Sequence, residues 1–278
     1  MNRHDRRKNE TLTHKAQHYI AKGYIRAWCD PRKAGLEEPY VWLFDRNGPT
    51  TEMPGKRKAP VNIFWESEMY TITPDNNPQG RDLSLEHGLS RIESDFCAVR
   101  REFIEPARPL GKRERTILLT FAACSQFRTP GFREHTRNQW QPVLELGREL
   151  DERMRAATPK QRANAALISS IGSNRKNSMS MDQVQRIVDK PLQMVLAPHV
   201  AATVPLLSKM TNLTILCTRK VPGFITSDEP VVWFDPESCK RPPMYQGPAL
   251  MYDTIEITMP ISPTRMILDP AVGHGRGW

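Results

Sequence analysis

The stretch LEHGLSRIESDFCAVRREF, residues 85–103, carries the strongest structural pattern in the sequence. Its apolar residues recur at alternating spacings of four and three, which places them on one face of an α-helix. The apolar positions are Leu85, Leu89, Ile92, Phe96, Val99 and Phe103. This spacing predicts a helix that packs one face against the core, and therefore a fold with a helical centre.

Further helices are predicted on the carboxy-terminal side of this stretch. One runs from about Lys112 to Arg128 and ends before Pro130, because a residue that precedes a proline is disfavoured in helical geometry. The next helix continues to about Arg155, and helical pattern returns over residues 182–210. The predicted inner face of the helix that ends near Arg155 is Trp140, Val143, Leu144, Gly147, Leu150 and Met154.

Both ends of the chain carry short β-prone runs. Near the amino end, Tyr40–Phe44 is followed by Asn47-Gly48, a pair that favours the positive φ angles of a tight hairpin turn. The runs in the last third are Leu213–Cys217, Gly223–Thr226, Val231–Phe234, Ile255–Met259 and Arg265–Leu268. The pattern predicts an α+β fold in a single domain, residues 1–278, with a central helical layer packed on a small, mainly antiparallel sheet built from both ends of the chain.

The composition is that of a basic globular protein. The 278 residues include 40 Lys and Arg against 31 Asp and Glu, a formal net charge of +9, and 38% of them are apolar. This apolar fraction excludes a fully disordered chain. The five cysteines show no C-x-x-C spacing, which argues against a disulfide framework and a zinc site and indicates a cytoplasmic location.

Neither a secretory signal nor a membrane span is expected. No apolar stretch follows the basic residues at the start of the sequence, so no signal peptide is predicted. Residues 1–13 are predicted to form a flexible basic arm. The uncharged run Pro191–Ser208 contains Pro198, Pro205 and several polar residues. These residues predict a buried, kinked helix rather than a membrane-spanning one.

The common signatures of nucleotide, zinc-protease and α/β-hydrolase chemistry do not occur. The sequence contains no phosphate-binding G-x-x-x-x-G-K-[ST], no G-x-G-x-x-G after a strand, no H-E-x-x-H and no G-x-S-x-G. We therefore expect no metal site and no cofactor.

His18 belongs to the first of three groups of polar residues that remain as candidates. It precedes Tyr19 at the head of an aromatic segment, and Arg26 follows two turns later, so that both side chains can project to the same side. A histidine in this setting is either a catalyst or a packed or capping residue, and both interpretations stay open.

Gln126 and Arg128 form the second group, at the end of an otherwise apolar helix. Polar groups there are costly when buried without partners. They therefore either cap the helix or present an amide and a guanidinium to a ligand.

Ser227 and Asp228 form the third group, where the apolar run Phe224–Thr226 stops. Binding sites often lie where strands end in loops. Asp228 before a turn also makes ordinary local hydrogen bonds, so a structural role is equally open.

These segments together resemble domain-of-unknown-function family 4238. In the order seen in that family they are HYIAKGYIRAW, the Tyr70 region, the helix that contains Glu93, FAACSQFRTPGFRE, FITSDEPVV and ITMPISPTRMIL. The resemblance covers about residues 17–269. It departs from the family pattern at Ala21, where Pro is usual, at Ile261, where Leu is usual, and in the single residue between Gln126 and Arg128. The family has no assigned activity, so the resemblance supports the choice of sites without implying a reaction.

The leading functional hypothesis is a nucleic-acid-directed enzyme, a metal-independent ribonuclease-like toxin or defence effector. The basic charge attracts phosphate, so RNA or DNA is the expected partner. In this hypothesis His18 is the general acid or base and Arg128 stabilises the phosphorane charge. Gln126 and Asp228 orient the ribose and the imidazole.

Two other hypotheses use the same residues. In the first, the chain is a non-catalytic binding or regulatory module in which Arg128, Arg26 and Ser227 hold a nucleotide or RNA phosphate. In the second, His18, Gln126 and Asp228 form a buried network that ties the amino-terminal helix to the sheet. The enzyme hypothesis requires His18, Arg128 and Asp228 to converge on one accessible cleft.

Overall fold

The structure is a computed structural model that describes residues 15–30, 39–45, 55–74, 77, 80–170, 179–209 and 213–270. The arm predicted over residues 1–13 and the turn predicted at Asn47-Gly48 lie outside the described residues.

Helices form the centre of the described chain. They are α1 (Lys22–Ile25), α2 (Ser84–Val99), α3 (Lys112–Phe127), α4 (Pro130–Ala156), α5 (Pro159–Ser170), α6 (Met181–Asp189) and α7 (Pro191–Leu207). A π-helical turn, Arg100–Ile104, extends α2. The helices predicted over residues 85–103 and 112–128 therefore occur close to their expected bounds.

The strands of the described residues form three antiparallel sheets. The strands are β1 (Ala16–His18), β2 (Val41–Leu43), β3 (Lys56–Lys58), β4 (Trp65–Ser67), β5 (Thr214–Cys217), β6 (Val232–Phe234), β7 (Glu256–Ser262) and β8 (Arg265–Pro270). The last four make one sheet in the order β5-β8-β7-β6, and β1 pairs with β4 and β2 with β3 in two separate ribbons. The α+β class is confirmed, but the amino-terminal strands do not join the four-stranded sheet.

Aromatic residues from three elements meet in the main core. Phe96 of α2 and Phe121 of α3 stack with ring centroids 3.8 Å apart, and Tyr24 of α1 lies 6.2 Å and 6.0 Å from them. Strand β7 alternates buried and partly buried residues along its length, so that Ile257, Met259 and Ile261 face this core. The helical layer therefore packs against one face of the four-stranded sheet.

Helix α4 departs from the predicted inner face. Leu144 is buried in a small second cluster with Val184 and Val188 of α6, and Trp140 packs against it. Leu150 is 50% exposed, and Val143 and Met154 are exposed as well. The apolar spacing predicts more burial than occurs, because α6 covers only part of this long helix.

No helix in the described ranges is long and apolar enough to cross a membrane. Helix α7, which covers most of the uncharged run 191–208, contains Pro198 and Pro205 within its length, as expected from the sequence.

Candidate functional site

Arg128 is the most deeply buried charged group at the candidate site. It is the residue at which α3 ends, and the next two residues start α4: the Thr129 side chain accepts a hydrogen bond from the Phe132 amide at 3.1 Å, and Pro130 occupies the first turn. Only 1% of Arg128 is exposed. The Arg-Thr-Pro segment therefore ends one helix, begins the next and places a guanidinium inside the protein.

Two of the three guanidinium nitrogens of Arg128 are hydrogen-bonded. Nε donates to the carbonyl oxygen of Tyr19 at 2.7 Å, and Nη1 donates to Glu93 Oε1 at 2.7 Å. Nη2 is buried without a hydrogen-bond partner in the described structure. Arg128 therefore links the end of α3 both to α2 and to the segment that follows β1.

Gln17 and Tyr70 hold the other side of this junction. The Gln17 amide donates to Thr71 Oγ1 at 3.0 Å, and its carbonyl oxygen accepts from the Tyr70 amide. The Tyr70 hydroxyl donates to the Arg128 carbonyl oxygen at 2.9 Å. Gln17, which sequence reasoning missed, is fully buried, so these bonds fix the position of the strand that carries His18.

His18 lies beside this buried junction and is half-buried. Its Nε2 lies 3.3 Å from the carbonyl oxygen of Val61, and a hydrogen on Nε2 donates to it, which leaves Nδ1 to accept a proton. Burial and the nearby positive charge of Lys22 lower the pKa of His18, while Glu93 acts in the opposite direction. The imidazole is therefore neutral at neutral pH.

Glu86 and Glu93 are two carboxyl groups of α2 whose charges influence each other. They are seven residues apart on α2, so they lie on one face of the helix, two turns apart. Burial and the negative charge of Glu93 raise the pKa of Glu86, and Arg128 and Lys22 oppose this shift. We call the five residues joined by these interactions the His18 cluster: His18, Lys22, Glu86, Glu93 and Arg128.

The His18 cluster combines a neutral base, a carboxyl group that is easier to protonate than usual, and an exposed lysine. Such a combination is typical of sites for general acid–base chemistry. In the described part of the chain, no three His, Cys, Asp or Glu side chains are grouped so that they could hold a metal ion.

Gln126 does not face the His18 cluster. Two residues along a helix correspond to a rotation of about 200°, so Gln126 and Arg128 leave α3 in different directions. Gln126 lines a cavity of about 260 Å³ at the start of α4 together with Ser125, Thr129, Gly131, Phe132, His135, Glu229 and Val231. The Glu229 carboxylate occupies the space where a Cβ of Gly131 would lie.

Asp228 is exposed and lies near Tyr19, whose pKa is raised by burial first and then by the charge of Asp228. The carboxylate that pairs with Arg128 is Glu93 rather than Asp228. The structure thus joins His18 to Arg128 in one cluster, places Asp228 beside the residue that follows His18, and directs Gln126 into a separate cavity.

Ser227 and Arg26, the two residues assigned to phosphate binding, lie in different local settings. The Ser227 hydroxyl accepts from the Glu229 amide at 3.1 Å and donates to the Glu229 carbonyl oxygen at 2.9 Å, so it stabilises its own turn. Arg26 is exposed. Burial raises the pKa of the Cys29 thiol, and the charge of Arg26 opposes this shift.

Comparison with known proteins identifies the family. The sequence profile of a family described as "Protein of unknown function (DUF4238)" matches residues 16–269, which is most of the chain. The chain belongs to the DUF4238 family. No curated protein and no solved structure matches it.

In this DUF4238 protein, Tyr24 and Thr226 join the two ends of the chain beside the site. The buried Tyr24 hydroxyl lies 2.7 Å from Thr226 Oγ1 and donates to the Pro260 carbonyl oxygen at 2.7 Å. The Trp28 indole donates to the Phe224 carbonyl oxygen at 3.4 Å. Tyr24 therefore makes the connection between the amino-terminal helix and the sheet that the structural hypothesis assigned to His18, Gln126 and Asp228.

Sequence reasoning missed Lys22 and Glu86 as members of the cluster. Lys22 follows His18 by four residues, but His18 ends β1 and Lys22 begins α1, so helical spacing does not account for their proximity. For Glu86 the available signal was its seven-residue separation from Glu93, but charged residues on a helix are usually exposed.

Proposed function

We propose that this chain is a cytoplasmic, metal-independent enzyme that cleaves phosphodiester bonds of nucleic acid and acts as a toxin or defence effector. The observation that carries the proposal is the His18 cluster, where a neutral imidazole and a carboxyl group of raised pKa share one electrostatic environment. The net charge of +9 supports a polyanionic substrate.

His18 is the general base in this proposal. A lowered pKa keeps the ring unprotonated at neutral pH, so it can remove the proton from an attacking ribose hydroxyl or water. The contact of Nε2 with Val61 fixes the ring orientation.

Glu86 is the proton donor to the leaving oxygen. Its burial and the repulsion from Glu93 raise its pKa, and protonation of this carboxyl relieves the repulsion between the two groups. The two titratable groups are therefore shifted in the directions that suit a base and an acid at one site.

Lys22 takes the role that sequence reasoning assigned to Arg128. The Arg128 guanidinium is almost wholly buried and bonded to Glu93 and Tyr19, so it acts as a positioning residue. Lys22 is exposed, close enough to His18 to lower its pKa, and able to contact the phosphate.

Gln126 and Asp228 act farther from the scissile phosphate. The Gln126 amide faces the cavity at the start of α4, where it can hold a base or ribose of the substrate. Asp228 is exposed beside Tyr19 and can accept a hydrogen bond from a ribose hydroxyl.

The test is cleavage of fluorescently labelled single-stranded RNA and DNA by purified protein in the presence of EDTA. His18→Ala, Glu86→Gln and Lys22→Ala should each lower the rate by about 100-fold or more. They should leave the melting temperature nearly unchanged. Matched controls are His87→Ala, which changes an exposed histidine beside Glu86, and Lys112→Ala, which changes an exposed lysine on α3.

Expression of the wild-type protein should inhibit growth, and expression of His18→Ala should not. A wild-type protein that leaves both nucleic acids intact, or a folded His18→Ala protein with full activity, would exclude the enzyme proposal.

A non-catalytic nucleic-acid-binding module is the second candidate, and the exposure of Lys22 and Arg26 favours it. Arg128 is withdrawn from the surface, whereas these two cations are exposed and four residues apart. In this case RNA binding weakens in Lys22→Ala and Arg26→Ala, while no cleavage is detected in any variant.

A further inference from the structure

Three aromatic residues share one face of β2. Tyr40, Trp42 and Phe44 alternate with Val41 and Leu43, and successive strand residues point to opposite faces. Val41 is buried and Leu43 packs against the main core. Trp42 is 49% exposed and Phe44 57% exposed. The aromatic face of this strand is therefore directed to solvent.

Positive charge lies next to this aromatic face. All three residues of β3, Lys56, Arg57 and Lys58, are exposed. Arg57 pairs with Trp42 and shares its face, whereas Lys56 and Lys58 pair with Leu43 and Val41 on the other face. The Arg57 guanidinium carbon lies 5.3 Å from the Tyr40 ring centroid and 5.2 Å from the Trp42 ring centroid, in cation–π contact with both. We call residues 40–44 and 55–58 the aromatic ribbon.

Gly55 makes room for the rings. A Cβ at this position would lie 2.9 Å from ring carbons of both Trp42 and Phe44. Both rings therefore lie against the backbone at Gly55 on one side, which restricts their rotation before any ligand binds. A surface that is ordered in advance loses less entropy on binding.

We propose that the aromatic ribbon binds single-stranded nucleic acid. Unpaired bases stack on Trp42 and Phe44, phosphates contact Arg57, and the exposed Lys56 and Lys58 add positive charge to the ribbon. Proteins that bind single strands without sequence preference combine aromatic platforms with basic grooves in this way. A duplex keeps its bases stacked on one another, so it has no free base to place on these rings.

Charge complementarity favours a polyanion over a second copy of this chain. The described ribbon carries the three cations of β3, and one acidic residue, Asp45, directly follows Phe44, so two copies meeting here would repel each other. The base faces of a single strand match the exposed aromatic rings, and its phosphates match the positive charge of the ribbon.

The ribbon leads directly to the His18 cluster. Val61, whose carbonyl oxygen contacts His18, follows Lys58 by three residues, a span of at most about 10 Å of chain. A strand bound on the ribbon would thus pass close to the proposed catalytic base. The role of the ribbon in substrate delivery rests on the proposed function, whereas binding itself does not.

Fluorescence anisotropy tests the binding, with labelled oligo(dT) and oligo(U) of roughly 12 nucleotides and a duplex of the same length. Oligo(dT) lacks the ribose hydroxyl, and a denaturing gel of the same samples shows whether each strand stays intact during the measurement. Trp42→Ala and Phe44→Ala should each weaken binding of both single strands about tenfold, a typical loss for one stacked base. The matched control is Phe234→Ala, which removes a phenylalanine of similar exposure, 54%, from β6.

Salt dependence tests the phosphate contacts. Arg57→Ala should reduce the slope of log affinity against log salt by about one, and Lys112→Ala should leave it unchanged. Anisotropy measures binding independently of cleavage, so a failure of the enzyme proposal leaves this result intact.

The proposal is overturned if oligo(dT) does not bind at low salt, if duplex binds as tightly as single strand, or if Phe234→Ala loses as much affinity as Trp42→Ala. Light scattering provides a second measurement. A wild-type dimer that Trp42→Ala converts to monomer would show that the ribbon is an interface between copies.

Discussion

Arg128 Nη1 donates a hydrogen bond to Glu93 Oε1 at 2.7 Å. This ion pair joins the end of α3 to α2, and both of its charges influence His18. The guanidinium is withdrawn from water and the carboxylate is about a quarter exposed. The pair therefore links α2 and α3 within the His18 cluster, and we expect its loss to affect both the fold and the site.

Removal of Arg128 should be strongly destabilising. Arg128→Ala leaves Glu93 without its partner and the Tyr19 carbonyl oxygen without its donor, and breaking such a buried pair costs about 3–5 kcal/mol. Urea denaturation of the single variants and of the Arg128→Ala/Glu93→Ala double variant measures the coupling. A loss below about 1 kcal/mol, in the range of an exposed ion pair, would contradict this placement.

Phe96 should contribute much more to stability than Leu150, although both belong to predicted apolar faces. Phe96 is fully buried against Phe121, and a buried Phe→Ala change costs about 3–5 kcal/mol. Leu150 is half exposed on α4, so Leu150→Ala should stay within about 0.5 kcal/mol of wild type. Denaturant midpoints compare the two variants, and equal losses would contradict the observed packing of α4.

Asp269 should make the protein less stable as pH rises. This β8 carboxyl is buried without hydrogen-bond partners in the described structure, and burial raises its pKa to about 7 against a smaller opposing effect of Arg115. The folded state holds its proton more tightly than the unfolded state, whose ordinary pKa is 3.8, so stability declines between about pH 4 and 7.

Asp269→Asn should remove this decline and stabilise the protein at pH 8 by about 1–3 kcal/mol. Asp151→Asn, a change at an exposed site on α4, is the control and should leave the pH profile of stability unaltered. Thermal melts from pH 5 to pH 8 are the measurement. A wild-type curve that rises with pH in this interval would refute the assignment.

His18 should determine the acidic limb of the pH profile of activity. Burial and Lys22 lower its pKa below the ordinary value of 6.5, so the base is protonated and inactive only at more acidic pH. The same shift stabilises the fold above pH 6.5, and this contribution is lost as pH falls through the lowered pKa. Lys22→Ala should move the acidic limb of log(kcat/KM) to higher pH, whereas Lys112→Ala should not.

Tyr24→Phe should test the connection between the ends of the chain. The change removes one hydroxyl that contacts Thr226 and Pro260 and leaves the ring in the aromatic core, so the expected loss is about 1–3 kcal/mol. Tyr245→Phe, at an exposed position, is the control and should have little effect. Equal unfolding free energies for the two variants would show that these bonds contribute nothing.

Much of the local structure follows from the sequence alone. Spacings of three and four predict α2, and Pro130 predicts the end of α3, because both depend on the geometry of one segment and its neighbours. The continuous β-branched and aromatic run of residues 40–44 predicts β2 for the same reason. The strand that pairs with β2 is β3, residues 56–58, which follows the predicted turn at Asn47-Gly48 in the sequence.

Only the tertiary structure decided which polar groups meet. Gln126 and Arg128 are two residues apart, so the rotation along the helix points their side chains in different directions. Gln126 lines a cavity with Glu229, and Arg128 binds Glu93. The burial of α4 likewise depends on how much of it α6 covers. The spacing of apolar residues shows which face of a helix is apolar. The partners and the burial of a side chain depend on how distant segments pack, and local sequence patterns do not show that packing.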